Sequence, residues 1–63
     1  MLYFFDLVAG TTMLDPSGTD AKDDDAAQRE AVARAKAYKG AGFRAVAVRD
    51  KQGHLVCRVL IEH

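Results

Sequence analysis

One helical signal, between Asp23 and Gly42, most limits what these 63 residues can fold into. Ala27, Ala31, Ala35 and Tyr38 recur at spacings of four, four and three, a single buried stripe on a 3.6-residue helix, with Val32 beside it. Asp23 is placed to cap the start, with Asp24 and Asp25 in the first turn. Arg34, Lys36 and Lys39 lie toward the end, where they complement the helix dipole. Gly40 and Gly42 can each close the helix in left-handed geometry. Alanine removes bulk, so this backbone can lie close to a sheet whose own side chains are large. One helix can cover one side of such a sheet and no more.

Both flanks read as β-hairpins. Leu2 to Val8 is dense in aromatic and branched residues; Ala9-Gly10 supplies a turn and Thr11 to Leu14 returns. A two-residue loop sets Leu7 against Thr12 and Phe5 against Leu14. Tyr3, Phe5, Leu7, Thr12 and Leu14 then share one face, and Leu2, Phe4, Asp6, Val8 and Met13 the other. Asp15-Pro16-Ser17-Gly18 is a turn in which the proline fixes φ and the aspartate bonds the backbone ahead. After the helix, Phe43 to Arg49 and Leu55 to Ile61 flank Asp50-Lys51-Gln52-Gly53, a type I turn with a glycine bulge. That geometry pairs Asp50 with His54, Val48 with Val56, and Val46 with Arg58. The expected fold is α+β, ββαββ: two hairpins in one antiparallel sheet with the helix on one face, a single domain over 1–63.

This register sorts the second hairpin onto two faces. Phe43, Ala45, Ala47, Leu55, Cys57, Val59 and Ile61 fall on the helix side, interrupted by Arg49. Val46, Val48, Val56 and Leu60 fall on the other, with Arg44, Arg58, Asp50 and His54 around them. A wet antiparallel face should alternate cleanly between apolar and polar, and this one does not. The sequence therefore predicts a protein–protein interface formed by Leu2, Phe4, Arg44, Val46, Val48, Val56, Arg58 and Leu60. Its simplest occupant is a second copy in a homodimer, and a different protein partner is the other. The bland alternative is a partly apolar surface screened by arginine stems. A nucleic-acid reading would use Arg44 and Arg58 for phosphates and Phe4 for stacking.

Composition narrows the remaining classes. Nine basic and nine acidic side chains cancel, which removes any global pull toward nucleic acid or anionic lipid. The split is uneven: residues 1–25 carry six acids against Lys22, a balance of −5, and residues 26–63 carry +5. Helix electrostatics selects much of that asymmetry. The apolar runs are too short to span a bilayer, which needs about 20 residues. Cys57 is the only cysteine, so no internal disulfide forms, and a cytoplasmic home is expected.

No residues suggest a metal, a cofactor, a small-molecule substrate or an enzyme. The acids near Pro16 fail the calcium-loop pattern, because Gly18 and Ala26 stand at the wrong positions. His54 and Asp50 form a turn-flanking pair with no nucleophile tied to them. Cys57 lies mid-strand on an apolar face, where a small buried hydrophobe is the ordinary role.

The order of four motifs carries a resemblance. Tyr3-Phe4-Phe5-Asp6, Asp15-x-x-Gly18, Asp23-x-x-Ala26-Ala27 and Val46-x-Val48-x-Asp50-x-x-Gly53 occur in this sequence over nearly its whole length. In that order the chain resembles a family of short bacterial proteins, common in rhizobia and other alphaproteobacteria, catalogued as a domain of unknown function. Members typically carry more residues between helix and third strand. The resemblance implies a compact ββαββ domain of bacterial origin and no particular activity.

Overall fold

The structure, a computed structural model, describes residues 1–62. Five strands form one antiparallel sheet and one helix lies on it: β1 (Leu2–Val8), β2 (Thr12–Met13), β3 (Thr19–Asp20), α1 (Asp24–Ala37), β4 (Ala45–Asp50) and β5 (Leu55–Leu60). The lateral order is β2-β1-β4-β5, and β3 pairs with the same edge of β1 as β2 does. The expected α+β architecture is present, with the returning strand shortened to Thr12–Met13 and a further short strand, Thr19–Asp20, that was not expected.

The helix follows from its sequence. Asp23 accepts the Ala26 N–H at 2.8 Å, and Asp24 and Asp25 occupy the first turn. The helix stops short of the predicted Gly42, with Tyr38 as its C-cap. Tyr38 then packs edge-on against Phe43, ring centroids 5.5 Å apart. Ala27, Ala31 and Ala35 are all buried, and they press against Tyr3, Phe5, Val46, Val48 and Ile61. Because Ala31 has no accessible surface, Ala31→Leu is expected to overpack this contact and cost about 1–3 kcal/mol. A thermal melt would check it: an unchanged Tm would mean that the stripe has slack.

The first hairpin differs from expectation by one residue. Its loop is Ala9-Gly10-Thr11, closed by the Ala9 N–H donating to the Thr11 carbonyl at 2.9 Å. Leu7 therefore faces Met13, and Val8 faces Thr12. Met13 moves to the helix side of the sheet and Thr12 to the open side. Leu14 does not pair with Phe5.

The second hairpin holds the larger correction. Its turn is as predicted: Asp50 donates its N–H to the His54 carbonyl at 2.9 Å, and Gly53 takes a φ of +87°. Arg49 also faces Leu55, but the next pair is Val48 with Cys57, not Val48 with Val56. Val56 is an extra residue, a β-bulge, and every later pair is displaced by one: Ala47 with Arg58, Val46 with Val59, Ala45 with Leu60. The side-chain period of a strand is two, so this single insertion turns β4 over. Val46 and Val48 are 0% exposed and lie in the core against the alanine stripe. They are not on the open face, and the predicted contact site loses both.

Energetics explains why the bulge is tolerated. Burying two valines in place of Ala45 and Ala47 gains about four carbons, or roughly 3 kcal/mol at 0.8 kcal/mol per carbon. Inversion also sends Arg49 outward, where the unbulged register would have placed a cation in the core.

Candidate interaction surface

The two edges of the sheet are finished differently. Between β2 and β3 the edge of β1 has no strand beside it, and two carboxylates replace the ladder. The Phe5 N–H donates to Asp15 Oδ2 at 3.1 Å, and the Asp15 N–H donates to Asp6 Oδ1 at 2.9 Å. Asp15 Oδ1 also accepts from the Ser17 and Gly18 N–H groups, at 3.2 and 3.1 Å. Gly18 is required by the close approach: with φ at +77°, a Cβ there would come within 2.9 Å of the Tyr3 carbonyl oxygen. This edge is closed to any further strand.

Asp6 is 2% exposed and is the one buried charged residue among those described. Arg49 neutralises it through Nε to Oδ2 at 2.5 Å and Nη2 to Oδ1 at 3.1 Å, a bidentate pair. The Arg49 bond holds the Asp6 carboxyl below the usual carboxylate range, although burial opposes ionisation. Burial likewise opposes the charge on Asp15, and the N–H groups of Gly18, Phe5 and Ser17 outweigh it, so its pKa also falls. The Arg49 guanidinium then lies 4.9 Å from the Phe4 ring centroid on the open face. On the helix face Arg34 does the same over Phe5 at 4.1 Å while bonding Thr19 Oγ1 at 2.9 Å. Sequence reasoning missed the Asp6–Arg49 pair, although Arg49 stood out as a lone cation in an apolar row.

The opposite edge belongs to β5, and the strand order ends there. Ile61 donates its N–H to the Arg44 carbonyl at 2.8 Å. By the alternation of an antiparallel ladder, Val59 and Cys57 also direct their backbone groups at β4. The N–H and C=O of Arg58 and Leu60 consequently point away from the sheet. From the same strand Leu55 and Leu60 project at 65% and 75% exposure. Leu55 was expected on the helix side; the bulge puts it outside.

Of the eight predicted interface residues, Leu2, Phe4, Arg58 and Leu60 lie on the open face. Arg44 is exposed just before β4. Val56 sits in the bulge, half-buried and packed against the core, while Val46 and Val48 are within it. A shallow groove between α1 and β5 adds Val32, Lys36, Lys39, Val59 and Glu62 to the β5 side. This surface is apolar with a charged rim.

The other polar groups have structural occupations. The His54 imidazole lies 3.5 Å from Asp50, and Asp50 Oδ1 already accepts the N–H groups of Gln52 and His54 at 2.9 Å each. Those bonds, His54 first, lower the Asp50 pKa. Burial pushes the Cys57 thiol up, away from nucleophilic thiolate. Tyr3 donates to Asp24 Oδ1 at 2.6 Å, and this bond together with burial pushes its hydroxyl up to about 12. No group of three His, Cys, Asp or Glu among the described residues could hold a metal ion. No helix among them is long and apolar enough to cross a membrane.

Residues 2–62 match the family model described as Domain of unknown function (DUF6894). No curated protein and no solved structure matches the chain.

Proposed function

We propose that this chain, which belongs to the DUF6894 family, is a non-catalytic protein–protein interaction module that self-associates through the β5 side of its open sheet face. The observation that carries the reading is the pair Leu55 and Leu60, 65% and 75% exposed on a strand whose outer edge has no neighbour among the described residues. Large apolar side chains on a free edge are what natural sheets ordinarily avoid unless a partner covers them. Leu2, Phe4, Arg58 and Leu60 keep their predicted place on that face, and Leu55 replaces the valines that the bulge withdrew. A cytoplasmic home in an alphaproteobacterium belongs to the same reading; the lone thiol of Cys57 supports the first part.

Nucleic-acid binding has one observation in its favour, the exposure of Arg44 and Arg58. Phe4 lends it no stacking platform, because the Arg49 guanidinium already covers that ring.

Sedimentation at micromolar concentration tests the proposal. The expected mass is twice that of the 6.9 kDa chain. Leu60→Asp should shift it to monomer with an unchanged far-UV spectrum, since this side chain is outside the core. A wild-type monomer at 100 μM would overturn the reading. Salt-sensitive retardation of an oligonucleotide by that monomer would favour the nucleic-acid alternative.

A further inference from the structure

Resting on that self-association, we infer that the second copy adds edge to edge: β5 pairs antiparallel with β5 of its twin about a two-fold axis at Val59, making one continuous sheet. The edge is chemically ready for it. Arg58 and Leu60 direct their N–H and C=O groups outward, as deduced above from the Ile61 to Arg44 bond. The far edge of β1 is already occupied by β2, β3 and the Asp15 carboxylate, so only β5 can extend the sheet. Head-to-tail growth is thereby blocked, and pairing of like edges closes at two copies.

Charge disfavours one register. Side chains that face each other across a ladder share a face, so the axis must pass through a residue and not between two. An axis at Arg58 would set the two guanidinium groups directly opposite, which is unfavourable. An axis at Val59 sets Arg58 against Leu60 of the second copy, whose apolar surface its stem can cover. Glu62 of that copy then lies diagonally within reach of Arg58.

The helix supplies independent agreement. α1 packs on β4 and β5. Strands are about 4.8 Å apart, so a helix centred between those two is about 5 Å from an axis running beside β5. Two-fold symmetry then places the helix axes about 10 Å apart, close to the spacing of packed helices. The axis is perpendicular to the sheet, so the helices run antiparallel. Val32, 38% exposed beside the β5 groove, is covered between them.

Amide hydrogen exchange on the whole chain separates this arrangement from other modes of self-association. At a concentration where the mass is dimeric, the Arg58 and Leu60 amides should exchange at least tenfold more slowly than in the dilute monomer. The Cys57 and Val59 amides, bonded to β4, should be protected in both. A dimeric mass with Arg58 and Leu60 still exchanging freely overturns edge pairing and leaves self-association standing; a monomeric mass overturns both. Register is read by a cross-link. Val59→Cys in a Cys57→Ser background should oxidise to a disulfide-linked dimer, because residues at the axis form a closely spaced non-hydrogen-bonded pair. Leu55→Cys in the same background should not. Cross-linking at Leu55 in preference to Val59 overturns the Val59 axis.

Discussion

Val48→Asp is expected to abolish folding altogether, with no cooperative melt and a far-UV spectrum of unfolded chain at 25 °C. Val48 has no accessible surface and lies against Ala31 and Phe5 in the one core this domain has. An unpaired carboxylate there has no donor within the apolar cluster, and its desolvation costs several kcal/mol. A chain of this length has total stability on the order of 3–9 kcal/mol, from 0.05–0.15 kcal/mol per residue. The substitution also removes two buried methyl groups. In the register without a bulge, Val48 would be a surface residue, and the same change would leave the fold intact while abolishing contact with a partner. Circular dichroism on one variant therefore distinguishes the two arrangements.

Asp6→Ala is expected to be the next most damaging change, by about 2–4 kcal/mol, since it strands a part-buried N–H and the Arg49 cation together. Arg49 is partly exposed and can find water, which keeps the cost below that of a fully buried pair. The part-buried Asp15 N–H loses its acceptor, and with it goes the bond that fastens the crossing loop to β1. The same carboxylates set the acid limit of the fold. Asp6 and Asp15 both have pKa values lowered from 3.8 in the folded chain. Their contribution is complete above that value and is lost as pH falls below it, through the depressed folded values. Tm should be level from pH 7 to about 5 and fall steeply below 4. In Asp6→Asn the fall should be shallower from a lower plateau; an unaltered acid slope would mean that Asp6 carries no linkage.

The sequence made the helix legible because its cues are local. The Asp23 cap, the alanine stripe and the acid-to-base gradient all act within a few turns, and the structure places each as read. The sidedness of β1 was legible too, since Tyr3, Phe5 and Leu7 alternate without interruption. On β5, Cys57 and Val59 face the core as expected. β4 was not legible, and the reason is specific. A bulge leaves no mark on composition, and the turn at Asp50–Gly53 has the same geometry with or without it. The residue that spoke against the simple register was Arg49, a cation that it left alone on the helix side. Weighing that residue against the preference for burying valine over alanine would have turned the strand over. The break between β2 and β3 was hidden for a similar reason, because Asp15 reads as a turn residue and its second occupation, replacing ladder bonds on β1, depends on Phe5 and Asp6 ten and nine residues away.

The partner surface changes with that inversion. Valines in the core cannot serve an interface, and what remains outside is the free edge with Leu55 and Leu60. Both the loss of the first proposal and the basis of the second depend on the extra residue at Val56. Proton NMR measures it directly, because facing residues in a non-hydrogen-bonded antiparallel pair bring their α-protons into close contact. The structure requires a strong α-proton cross-peak between Ala47 and Arg58 and another between Ala45 and Leu60. A cross-peak between Ala47 and Cys57 in their place would mean that β4 faces the other way.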